Sequence, residues 1–142
     1  MTEFVGKFLN KIDKKGRISV PALWRQKLLG KEFSGIVAQS SQDYNSIEGY
    51  SQRYLANYQE WLDKQDPLLE TYEYESTLIF GSSMLPFDRE GRVLIPDLLR
   101  KNASLENDAL FVGMGRKFRI WEPNSFNAYE KKAIEYMKKR KQ

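Results

Sequence analysis

Apolar and polar residues alternate along one stretch of this chain, and a second stretch repeats most of its pattern. Ile18 and Val20 fall on one side of an extended strand, with Arg17, Ser19 and Pro21 on the other. The full repeat is Asp13-Lys14-Lys15-Gly16-Arg17-Ile18-Ser19-Val20-Pro21-Ala22-Leu23-Trp24-Arg25. It returns 75 positions later as Asp88-Arg89-Glu90-Gly91-Arg92-Val93-Leu94-Ile95-Pro96-Asp97-Leu98-Leu99-Arg100. Gly6 recurs as Gly81, and Ile36-Val37 as Phe111-Val112. The offset exceeds the roughly 20–50 residues of solenoid repeats, so one supersecondary unit has been duplicated rather than stacked.

Local chemistry predicts the shape of that unit. Asp-x-x-Gly suits a type I turn, with Asp first and Gly fourth. Gly16 and Gly91 can then take positive φ and form the bulge of a tight hairpin loop. Pro21 and Pro96 sit where proline is tolerated, at the first turn of a helix, so short helices are expected over 22–29 and 97–101. Each unit reads as a hairpin with a charged turn, its arms 4–12 and 17–20 in the first copy, followed by a short helix.

The rest of the pattern is coarser. Residues 35–38 read as a short apolar strand and 40–46 as a polar loop that can end in a short strand. Ile47, Tyr50, Tyr54, Tyr58, Trp61 and Leu62 recur at helical spacing. This aromatic stripe is either core packing or a base-stacking platform, and its acidic surroundings, which repel phosphate, favour packing. Asp66-Pro67 ends that helix, because the residue before proline avoids the α region. A second helix is expected over 68–78, an extended arm over 79–87, and strands at 109–113 and 118–121. Pro123 can start a last helix, whose basic end Lys138-Lys139-Arg140-Lys141 is expected to fray.

The doubled motif resembles the MraZ family, whose Asp-x-x-x-Arg pairs appear here as Asp13…Arg17 and Asp88…Arg92. The segment Lys15 to Pro21 and the closing Phe111-Val112-Gly113…Phe118-Arg119-Ile120-Trp121 carry the resemblance further. It implies an α+β fold: two tandem AbrB-type swapped-hairpin modules, 1–66 and 67–142, packed about a pseudo-two-fold, with a longer helix after each. It also implies a transcriptional regulator that binds double-stranded DNA at tandem promoter repeats near cell-division and cell-wall genes, assembled as a closed homo-oligomeric ring. Two departures stand out. Asp43 to Gly49 is polar where a closing strand is expected, and Glu90 replaces a basic residue. The second turn is therefore expected to bind DNA less strongly or to serve assembly.

Charge sharpens this picture. Residues 7–31 hold eight Lys or Arg against one Asp, whereas 32–75 hold nine Asp or Glu against two basic residues. A basic motif beside an acidic middle suits polyanion binding, subunit attraction, or plain solvation. Lys14, Lys15 and Arg17 at the first turn, and Arg89 and Arg92 at the second, are the candidate DNA contacts. Such cations neutralise phosphates, arginine also reads guanine edges, and a two-stranded ribbon fits the major groove. Asp13, Gly16, Asp88 and Gly91 would shape the turns. The bland alternative is that each Asp simply pairs with its Arg; both can hold together. Arg25 and Arg100 end short helices, where a cation suits the helix dipole, a role favoured here over direct DNA contact.

Composition closes off other classes. The chain has 142 residues, 41% hydrophobic, enough for a core. It lacks a run of about 18 apolar residues, and its first residues lack a signal-peptide layout. With no Cys and no His, no Ser-His-Asp triad, thiol nucleophile or His/Cys zinc site is available. Gly113-x-Gly115 lacks the third glycine of a dinucleotide loop. No enzyme, cofactor or metal is expected; the lack of cysteine is compatible with a reducing cytoplasm, and the resemblance implies a place on the nucleoid. The competing reading is an assembly module using opposed basic and acidic surfaces.

Overall fold

In the computed structural model, which describes residues 3–41 and 45–141, the two copies of the repeat interleave. The elements in order are β1 (Lys7–Lys11), β2 (Arg17–Ser19), α1 (Ala22–Arg25), β3 (Gly35–Ser40) and β4 (Ile47–Tyr50). Then come α2 (Gln52–Asp63), α3 (Glu70–Phe80), β5 (Ser83–Pro86), β6 (Arg92–Leu94) and α4 (Asp97–Asn102). The chain closes with β7 (Asp108–Gly113), β8 (Phe118–Trp121) and α5 (Pro123–Arg140). Six antiparallel strands run in the order β1-β7-β8-β4-β3-β5, and β2 pairs with β6 in a separate ribbon.

The expected hairpins do not close on their own arms. β1 pairs with β7 of the second copy, Phe8 opposite Phe111, and a single bridge between Ile12 and Ile18 links the β1 arm to β2. β5 pairs with β3 of the first copy, Ile36 opposite Leu85. A lone two-stranded hairpin is marginal in water. Exchanging arms puts Ile18, Val20, Trp24, Ile36 and Ile47 from one copy into the same core as Val93, Ile95, Phe111, Phe118 and Ile120 from the other. β3 is buried on both faces, since Ile36 and Ala38 join this core while Val37 packs with Tyr50 and Ile79 under α2 and α3. Double burial explains its continuous apolar run.

Three expected elements are displaced. The stripe read as one helix from Ile47 splits, for Ile47–Tyr50 is strand β4, pairing Ile47 with Ile120 and Gly49 with Phe118. Gly49 fits because a Cβ there would lie 2.6 Å from the Phe118 ring. The Ser51 hydroxyl then accepts from Tyr54 N–H at 3.0 Å and starts α2. β4 is thus the closing strand expected within the polar stretch, of which residues 42–44 lie outside the described residues. The arm expected from residue 79 is helical through Phe80, because Ile79 is buried in the second cluster and Gly81 N–H closes on Thr77 O. The first short helix is α only to Arg25 and finishes as a 3-10 turn, Gln26–Leu28.

Most of the stripe is packing, for Ile47, Tyr50 and Leu62 are buried, whereas Trp61 stays exposed. Tyr54 and Tyr58 lie against the second cluster, and the Tyr58 hydroxyl donates to Glu75 on α3 at 2.9 Å. Glu122 caps α5 through the N–H groups of Asn124 and Ser125, and the helix runs through Arg140. No helix among the described residues is long and apolar enough to cross a membrane.

Candidate nucleic-acid interface

Each turn is built on its aspartate. Gly16 N–H donates to Asp13 O at 3.0 Å, and Gly91 N–H to Asp88 O at 3.1 Å, which are the expected type I closures. Gly16 has φ +86° and Gly91 +76°, the left-handed values that favour glycine. The side chains repeat one arrangement. Asp13 Oδ1 accepts from the N–H groups of Lys15 and Arg17 at 2.9 Å, and its Oδ2 accepts from Arg17 Nε at 2.8 Å. Asp88 does the same with Glu90 and Arg92, at the same distances. The paired reading of Asp and Arg is therefore correct, and it fixes where each guanidinium sits.

These bonds set the electrostatics. The backbone N–H of Arg17, then the Arg17 guanidinium and the Lys15 N–H, hold the Asp13 carboxyl below its usual range. Asp88 is lowered in the same way by Arg92 and Glu90. A depressed carboxyl stabilises above its unfolded pKa and loses that effect as pH falls through the folded value, so both anchors stand at neutral pH. Arg92 is pushed up, first by its bond to Asp88 and then by the charges of Asp88, Glu90 and Asp13.

The ribbon brings the turns together. Arg17 lies opposite Leu94 and Arg92 opposite Ser19, so these four share one outward face while Ile18 and Val93 point into the core. Asp13 Oδ2 comes within 4.0 Å of Arg92 Nη1, which joins one turn to the other. Lys14, Lys15 and Arg89 are exposed, and the side chains of Arg17 and Arg92 keep 33% and 25% of their surface. All five candidate cations thus stand at one ribbon. They are not equivalent: among the described residues Arg17 has one carboxylate partner, whereas Arg92 meets Asp88, Glu90 (3.4 Å) and Asp13.

Sequence reasoning missed two members of this surface. Leu94 is 57% exposed between the turns, although its neighbours in the strand are buried. Arg25 leaves the end of α1 and donates from Nη1 to Glu90 O at 3.1 Å, across from its own copy. The recurrence of Arg25 as Arg100 was the available signal, but periodicity does not say which turn a long side chain reaches.

Fold and turns together define a class: an internally duplicated α+β protein presenting two Asp-x-x-x-Arg turns from one ribbon. The chain is 41% identical over 131 residues to the "Transcriptional regulator MraZ" of Rickettsia africae (strain ESF-5), covering 91% of this chain and 87% of that protein. It belongs to the MraZ family, a family of transcriptional regulators. The protein of the same name from Rickettsia akari (strain Hartford) is 40% identical over 135 residues, 94% of this chain and 90% of that one. That of Rickettsia bellii (strain OSU 85-389) is 42% identical over 132 residues, with 91% and 87% covered. The family model described as "MraZ protein, putative antitoxin-like" matches residues 78–142.

Proposed function

We propose that the paired turns are the DNA-contacting surface of a cytoplasmic, nucleoid-associated repressor that acts on tandem promoter repeats at cell-division and cell-wall genes. The observation that carries this reading is the placement of Arg17 and Arg92 on one outward ribbon face, with exposed Lys14, Lys15 and Arg89 in the adjoining turns and Asp13 and Asp88 orienting the two motif arginines. Each half, 1–66 and 67–142, supplies one turn. Several copies in a closed ring would present turn pairs at intervals, and linked weak contacts raise avidity without any new contact. No catalytic step belongs to this mechanism.

The test is a gel-shift titration with one repeat and with several tandem repeats, at two salt concentrations. Binding to several repeats is expected to be tighter by on the order of 10²-fold or more. Log affinity should fall linearly with log salt, by about 0.9 for each phosphate contacted. Equal affinity for one repeat and many would remove the multivalent mechanism.

A second measurement probes the unequal turns. Glu90 lies where the first turn carries Lys15, and it draws on the Arg92 guanidinium. Glu90→Lys is expected to tighten single-repeat binding about 5- to 10-fold at ~0.1 M salt and to steepen the salt slope by about 0.9. Unchanged affinity and slope would mean that the second turn does not approach DNA.

A further inference from the structure

We propose that Arg25 is a positioning residue that locks the second turn, and that the first turn has no equivalent lock. This inference rests on the proposed contact of the turns with DNA. Arg25 and Arg100 occupy the same position in the two copies, so a symmetric molecule would use them alike. It does not. Arg25 Nη1 donates to Glu90 O at 3.1 Å, and its side chain lies over Gly91 so closely that a Cβ there would sit 2.7 Å from Arg25 Cδ and 2.9 Å from Cζ. Arg100 turns back on its own helix, where Nη2 donates to Asp97 Oδ1 at 2.8 Å. Its Nη1 stays 3.8 Å from the corresponding Cβ position at Gly16.

One substitution between the copies accounts for the difference. The position of Asp97 is held by Ala22 in the first copy. Asp97 lies three residues before Arg100, a spacing that places the two side chains side by side on a helix. Ala22 offers Arg25 no such partner, so its planar fork is available to the opposite turn, where the absent side chain of Gly91 leaves room for it. Both turns share one backbone tie, Val20 N–H to Gly91 O at 3.2 Å and Ile95 N–H to Gly16 O at 2.9 Å. The guanidinium lock is added to the second alone. Its consequence is a division of labour. The backbone of the second turn at Glu90 and Gly91, beside Arg92, is held by the guanidinium, whereas the first turn relies on its aspartate and its backbone tie and keeps more freedom to adapt to DNA.

The experiment uses the full chain with Arg25→Ala, Arg25→Lys and Arg100→Ala, each checked for an unchanged thermal transition. Amide hydrogen exchange is read at Gly91 and Arg92, with Gly16 and Arg17 as the internal reference, and tandem-repeat affinity is read across a salt series. Arg25→Ala is expected to speed exchange at Gly91 and Arg92 on the order of tenfold and to weaken binding about three- to tenfold with an unchanged salt slope. Arg25→Lys should restore part of both effects, since its ammonium can donate to Glu90 O but cannot cover Gly91. Arg100→Ala should leave exchange at Gly16 and Arg17 unchanged.

Unaltered exchange at the second turn overturns the proposal. So does a salt slope shallower by about one, which would make Arg25 a direct phosphate contact. Faster exchange with full affinity overturns the positioning role. If the wild-type chain binds no DNA, it is the proposed function that fails, and the lock stands or falls on the exchange data alone.

Discussion

Arg17→Ala combined with Arg92→Ala is expected to remove measurable binding to tandem repeats, a loss on the order of 10²-fold or more. Each arginine placed at a groove or phosphate typically carries a roughly tenfold effect or larger, and an assembled protein repeats that loss at every turn it engages. The substitution does more than delete two cations. It leaves Asp13 and Asp88 facing the phosphates without the guanidinium groups they orient. A companion variant, Asp13→Asn with Arg17→Ala, separates that repulsion from the lost contact. The single changes should be unequal. Arg92 must be shared with three carboxylates, so Arg17→Ala should cost more affinity than Arg92→Ala. The measure is the same gel shift at two salt concentrations, with thermal unfolding confirming the fold. Full affinity in the double variant would favour the assembly reading, in which the basic and acidic surfaces serve subunit contacts.

Much of this surface was legible in the sequence because its chemistry is local. Asp13, Gly16 and Arg17 are within four positions of each other, and turn type, positive φ and the Asp to Arg bond follow from that spacing. The partner of each strand was not legible in the residue pattern, and the swapped hairpins were implied by the family resemblance instead. The alternation of Ile18 and Val20 is satisfied equally by a strand on either side, so pattern alone could not separate an ordinary hairpin from the observed exchange of arms between copies. β4 was missed for a related reason. Ile47 and Tyr50 are three apart, as helix and short strand both allow, and the true stripe of α2 begins directly after them. The asymmetry of Arg25 and Arg100 was written in Ala22 and Asp97, but it acquires meaning once the second turn is known to lie across from α1.

Trp24→Ala is the change expected to cost most stability. Trp24 is 2% exposed, and its ring meets Phe4 at 5.3 Å, Phe8 at 5.4 Å, Phe118 at 5.1 Å and Phe111 at 6.0 Å between centroids. Two of those partners come from the first copy and two from the second, so the indole joins the halves. Emptying such a site typically costs about 3–5 kcal/mol, because strands already fixed by their ladders cannot collapse into the space. Against the roughly 5–15 kcal/mol that holds an ordinary domain, this is a large share, and the midpoint of thermal unfolding should fall by about 10–15 °C. Trp61 provides the contrast. It is 49% exposed on α2, and Trp61→Ala should shift the midpoint by no more than about 3 °C. Calorimetry decides a further point. A core drawn from both copies requires the wild-type chain to unfold in one transition, and Trp24→Ala to move that transition as a whole. Two separate transitions, of which one is untouched by the substitution, would show that the halves fold independently and that the interleaved core does not bind them together.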